Sequence, residues 1–193
     1  MQRDLQDGQS TSDEEPPAAT DRQTDRETRG LSDPHNLGRF VAKHDEYFSQ
    51  AMEELRSGHK SSCWSWYLLP TPPFIKNGVE VGSGTNRKYA LRTDEEAKEY
   101  LAFEHPTVSL RTNYLEMMRV VALQLGEGVS PTKLMGIDVP RLKASAAYLE
   151  RMARQDDPEM CAACAVVMDR LGMPRPVGME AAAEQELEQH RSG

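Results

Sequence analysis

Cysteine, tryptophan and clustered positive charge are scarce in this chain, and each shortage excludes a class of function. There are three cysteines among 193 residues. An odd number argues against the paired disulfides of a secreted chain and for a reducing, cytoplasmic compartment. Cys161 and Cys164 form a C-x-x-C, but no second ligand pair stands at zinc-site spacing, so "MCAACAVVM" reads as a small-residue helix face and no metal is expected. The five histidines, His35, His44, His59, His105 and His190, include no i,i+4 pair, and no cofactor is expected. No stretch approaches the roughly 18 apolar residues of a membrane helix, and the first thirty residues resemble no signal segment. Lys and Arg number 23 against 31 Asp and Glu, a formal net charge of −8. Nucleic-acid binding draws on clustered Lys and Arg that displace counterions, so the balance argues against a DNA or RNA partner.

The negative charge lies mostly at the ends. Residues 1 to 33 carry four Arg against nine acids, no aromatic, and only Met1, Leu5 and Leu31 from the large aliphatic group. Such a segment buries too little apolar surface to offset its ordering entropy, so it is expected to be a disordered acidic arm. Ser10, Thr11 and Thr20 are among its phosphorylatable positions, which would suit a protein partner docking through a regulated arm. Residues 173 to 193 carry two Arg and four Glu and are expected to form a flexible or partly helical tail. Between them, 34 to 172 is nearly neutral, with 17 basic and 18 acidic residues. That body is long enough to bury roughly two thirds of its unfolded surface.

Its apolar residues recur at helical spacing. Asp33 and Pro34 can open a helix with Leu37, Phe40 and Val41 on its apolar side. Phe48, Ala51, Met52 and Leu55 continue a stripe that stops at Gly58. Thr93 and Glu96 stand in capping-box positions before Ala97, Tyr100 and Leu101. From Thr107 to Leu125 runs the longest amphipathic helix. Ser130, Asp138 and Asp157 are read as caps of three further helices, the last ending at Gly172. Only "WSWYLL" alternates as a strand would. The pattern predicts an all-α fold, a single compact multi-helix domain with a long Gly/Pro-containing loop and disordered termini.

That loop, "TPPFIKNGVEVGSGTNRKYAL" at 71–91, begins within "KSSCWSWYLLPTPPF", residues 60 to 74, which contains both tryptophans. Pro72-Pro73, Asn77-Gly78 and Gly82-Ser83-Gly84 break regular structure, and Gly-Ser-Gly followed by Arg87 and Lys88 lacks the spacing of a phosphate loop. It reads as a flexible linker with a solvated basic pair. Two indoles with a neighbouring cation read either as core or as a pocket wall. In the pocket reading Trp64, Trp66 and Tyr89 supply ring faces, and Lys60, Arg141 and Ser145 supply polar groups. Such a wall suits an anionic small molecule, a nucleotide or sugar phosphate. In the core reading the indoles hold the helices together, and Lys60 lays its stem along them.

"LGRFV" at 37–41, "AMEELRSGHKSSCWSWYLLP" at 51–70, "RKYAL" at 87–91, "EEAKEYLAFEHP" at 95–106 and "RLKAS" at 141–145 resemble, in order, the motifs of the bacterial family called domain of unknown function 1810, sometimes labelled calpastatin-like. The resemblance covers about residues 37 to 172 and implies a compact helical fold and no particular activity. Calpain inhibitors are long disordered chains, so the calpastatin label implies nothing for this body. Cys63 stands where the family has a histidine before its first tryptophan, and Ala144 replaces the first serine of the last motif, leaving Ser145. "EYFSQAM" at 46–52 is also similar to the Glu-His-Tyr-Phe-Gln-Ala motif of NADAR domains, which act on ADP-ribose-linked groups. It is out of register by one residue, about 100° around a helix. Three functions are carried forward: an anion-binding pocket, an adaptor module with a regulated arm, and a NADAR-like enzyme.

Overall fold

The computed structural model describes residues 33–174, so the expected arm and tail fall almost wholly outside it. The elements in chain order are α1 (Gly38–Arg56), α2 (Ser65–Leu68), β1 (Ile75–Lys76), β2 (Val79–Glu80), α3 (Gly84–Lys88), α4 (Asp94–Ala102), α5 (Leu110–Gly126), α6 (Pro131–Met135), a 3-10 turn (Gly136–Asp138), α7 (Val139–Ala153) and α8 (Pro158–Arg170). The chain folds as a compact all-α domain carrying one small hairpin. Among the described residues no helix is long and apolar enough to cross a membrane.

Helix α1 merges two expected pieces into one and begins later than Pro34. The Asp33 carboxylate reaches over the entry turn to accept from the amides of Leu37 and Gly38 at 2.6 and 2.8 Å. Its exit is set by Gly58 at φ +75°, where an added Cβ would stand 3.0 Å from the Gln124 side chain. Helix α5 starts at Leu110 rather than near Thr107, capped by Ser109, which takes the Thr112 amide at 3.1 Å. Ser130 and Asp157 cap α6 and α8 as expected. Asp138 does not cap α7 with its side chain. Thr93 accepts from the Glu96 amide, but Glu96 turns its own carboxylate to the Arg92 amide at 2.6 Å and to Arg39.

Helices α7 and α8 pack most extensively, α5 lies across α8 and α1, and α4 rests on α7 and α5. Leu115, Met118, Val121, Leu142, Leu149, Met160 and Val167 belong to the continuous core between them. Cys164 is buried in it and Cys161 half-buried, while Cys63 is exposed. Burial raises both helix thiols above the ordinary range.

"WSWYLL", with its brief strand-like alternation, is a helical turn, α2, in keeping with the all-α reading. The strands lie in the expected loop, as an antiparallel hairpin pairing Ile75 with Glu80 and Lys76 with Val79. Asn77 and Gly78, at φ +53° and +76°, make its two-residue turn. The excursion is anchored rather than free. Leu91 donates to the Thr71 carbonyl at 3.0 Å to close its base. Arg39 donates to the carbonyls of Lys88 and Ala90, and Arg92 donates to both oxygens of Glu80 and to the Arg87 carbonyl.

Candidate functional site

The stretch from Glu54 to Trp64 folds onto one carboxylate. Glu54, near the end of α1, accepts from the amides of Ser61 and Ser62 at 2.9 and 3.1 Å and from the Trp64 indole at 2.8 Å. Burial alone would raise its pKa. The donors on Ser61, Ser62 and Trp64 outweigh that and hold it at about 2, below the ordinary 4.5. Trp64 is completely buried. Lys60 lies with its ammonium 5.1 Å from the Trp64 ring, donates to the Ser62 carbonyl at 2.6 Å and pairs with Asp138 at 2.7 Å. That ion pair is what occupies the Asp138 carboxylate in place of a helix cap. Lys60 and Trp64 therefore come together, with their polar atoms satisfied internally.

Trp66 is only half-buried. Trp64 precedes α2 at its N-terminal boundary, whereas Trp66 lies within it. Trp66 meets Tyr67 edge-on, Tyr67 meets Tyr89 edge-on at 4.8 Å and stacks on Tyr47 at 5.2 Å. The Lys43 ammonium stands 5.2 Å from both the Tyr47 and Tyr67 rings, and the Lys88 ammonium 5.6 Å from Tyr89. Tyr89 itself is buried against Phe40. The half-buried ring surface here is made of Tyr47, Tyr67 and Trp66, whereas Trp64 and Tyr89 are buried.

Arg141 and Ser145 stand one turn apart on α7. Ser145 is fully buried with its hydroxyl 3.0 Å from that of Tyr114. Arg141 is 8 % exposed. It donates to the Leu69 carbonyl at 3.4 Å and to the Asn86 side-chain oxygen, and its guanidinium lies 5.5 Å from the Phe74 ring. Among the described residues no carboxylate stands within ion-pair distance of it; Asp138, the acid that bears on it electrostatically, is paired with Lys60. Burial lowers its pKa from the guanidinium range, against the pull of Asp138. Among the described residues its hydrogen-bond acceptors are neutral, and Asp138 acts on it without pairing with it.

Glu54, Lys43, Tyr47, Tyr67 and Asn86 were not among the sequence candidates. Glu54 stands in the quoted motif and Tyr67 directly follows Trp66, so both had a sequence signal; Asn86 had none. Two clefts elsewhere include none of the six sequence candidates. One, of ≈ 550 Å³ between α4 and the α7–α8 turn, has its Arg111 committed to Asp157 at 2.6 Å and to Glu159 at 2.9 Å. The other, of ≈ 430 Å³, lies at the α4–α5 connection around Phe103, His105 and Ser109.

No curated protein matches the chain. A crystal structure of the conserved hypothetical protein Rv1873 from Mycobacterium tuberculosis is similar at 24% identity, over 72% of this chain and 91% of that one, with a TM-score of 0.59. That likeness concerns the fold. The model of the family described as "Protein of unknown function (DUF1810)" matches residues 34–169, so the chain belongs to the DUF1810 family.

Proposed function

We propose that the domain binds an anionic small molecule bearing a planar ring, a nucleotide or a sugar phosphate with an attached base, with the anion at Arg141 and the ring on the half-buried face of Trp66 and Tyr67. The observation that carries this reading is the Arg141 guanidinium, nearly sealed from water yet hydrogen-bonded, among the described residues, only to neutral oxygens and set against a ring. A phosphate would supply the missing counter-charge through charge-assisted hydrogen bonds. Lys43 and Lys88 add positive potential along the ring face. Lys60, Trp64 and Ser145 serve this reading as supports that fix the segment and α7.

Tryptophan fluorescence tests it, because Trp66 is the half-buried indole and Trp64 the sealed one. AMP, ADP-ribose, NAD and ribose 5-phosphate are titrated in turn. At least one should saturate the signal with a dissociation constant below about 1 mM, or −4 kcal/mol. The response should survive Trp64→Phe and disappear in Trp66→Phe; a flat signal with all four compounds contradicts the reading. Two further readings are tested alongside. A NADAR-like enzyme would need Glu46, which is exposed on α1 and paired with Lys43 at 2.7 Å, and ADP-ribose turnover would register it. The adaptor reading turns on the acidic arm outside the described residues.

A further inference from the structure

Asn86 occupies the one acceptor position on Arg141 that comes from a surface segment. Its carboxamide oxygen receives the Arg141 Nη2 donor, while Nη1 goes to the Leu69 carbonyl in the chain interior. A carboxamide oxygen is a neutral, weaker acceptor than a phosphate or carboxylate oxygen. The segment carrying it, α3, has five residues and none is buried; its end is held to the body through carbonyls, by Arg39 at Lys88 and by Arg92 at Arg87. Gly82, at φ +114°, supplies the backing, since a Cβ there would lie 3.1 Å from the Asn86 side chain. Gly82 therefore leaves room for the carboxamide to lie where it does. Ser83 caps the turn by accepting from the Asn86 amide at 3.2 Å. Beside it, in and next to the hairpin, Phe74, Ile75, Val79 and Val81 are exposed among the described residues.

Resting on the function proposed above, we propose that Asn86 is a built-in competitor for the anion seat: its side-chain oxygen holds Arg141 until a ligand oxyanion displaces it, and the displacement releases α3 from the body. Binding then carries the cost of an internal bond that must first open, so the competent population is a fraction of the whole. The arrangement selects for ligands whose charge outcompetes a carboxamide. A neutral ring compound gains nothing at Arg141 and leaves α3 in place. Opening moves Arg87 and Lys88, both exposed at the end of α3, away from the Arg92 and Arg39 side chains that donate to their carbonyls.

The experiment uses the full chain and calorimetric titration with AMP, ADP-ribose, NAD and ribose 5-phosphate. Removing the competitor in Asn86→Ala should tighten binding of the best of the four by at least about fivefold. Asn86→Asp, which gives Arg141 a charged internal partner, should weaken it by at least about tenfold while raising the thermal midpoint. Wild-type binding with an unchanged or weaker constant in Asn86→Ala overturns the competitor and leaves the binding function standing. No binding of any of the four to the wild type or to Asn86→Ala overturns both. Limited trypsin digestion of the wild type gives a second readout that needs no variant. Cleavage after Arg87 and Lys88 should accelerate when the best-binding compound saturates the protein; cleavage unchanged or slowed by it overturns the release of α3.

Discussion

Glu54 and His44 show how single buried groups set this protein's response to acid. Glu54, with its pKa held at about 2 against an ordinary 4.5, stabilises the fold above pH 4.5, and that contribution is lost as pH falls toward 2. His44 is buried with Nε2 at 3.2 Å from the Tyr100 hydroxyl and Nδ1 at 3.2 Å from the Asn113 amide, and burial holds it at about 3 against an ordinary 6.5. Its folded form stays neutral where the unfolded chain takes up a proton. Its contribution is complete above pH 6.5 and is lost as pH falls toward 3, so destabilisation begins with His44 and deepens with Glu54. Urea unfolding followed across this range should show stability falling from pH 6.5 downward, with a flatter slope in His44→Gln; equal slopes would place the titration elsewhere. Glu54→Gln should cost about 1 to 3 kcal/mol at neutral pH, because three N–H donors lose a charged acceptor. Trp64→Ala should cost about 3 to 5 kcal/mol by leaving a cavity in the core. An unchanged denaturation midpoint in either variant would contradict the network.

Between elements, arginines do the joining. Arg39 on α1 gathers the carbonyls of His35, Asn36, Lys88 and Ala90 and pairs with Glu96 of α4 at 2.6 Å, with both side chains nearly buried. Arg39→Ala would leave the Glu96 carboxylate buried without its cation and cut the excursion loose from α1. The expected loss is about 3 to 5 kcal/mol. A midpoint within experimental error of the wild type would show the pair to be ornamental. Helix ends were legible where a cap acts within its own turn, as at Ser130 and Asp157. They were misread where the carboxylate serves a distant partner: Asp138 looks like a cap in sequence but holds Lys60, and the Glu96 carboxylate serves the Arg92 amide and Arg39 in addition to its place in the helix. The brief alternation at "WSWYLL" carried no strand because six residues are too few to distinguish a strand from one helical turn. In α8, thiol chemistry follows burial, so a thiol reagent should modify exposed Cys63 first, with Cys164 protected until unfolding. Rapid labelling of Cys164 in the native protein would contradict the packing of α7 on α8.

At the scale of the whole molecule, the helical stripes and the family motifs announced the fold, because both express a core that every helix shares. The candidate site was legible only in part. The motif from Glu54 to Trp64 concentrates unusual residues, but the structure spends Glu54, Lys60 and Trp64 on one another and on Asp138. What remains without an ion-paired carboxylate among the described residues is Arg141, a property of the folded neighbourhood that no local spacing encodes. Asn86, 55 positions away in sequence, is its partner across the excursion. The central claim is that this buried guanidinium is an anion seat. Calorimetric titration of the wild type and of Arg141→Gln with AMP, ADP-ribose, NAD and ribose 5-phosphate tests it most directly. The wild type should bind at least one of them, and the substitution should weaken that binding at least about tenfold, or 1.4 kcal/mol, with the helical circular dichroism retained. Equal affinity in the two proteins would contradict the claim.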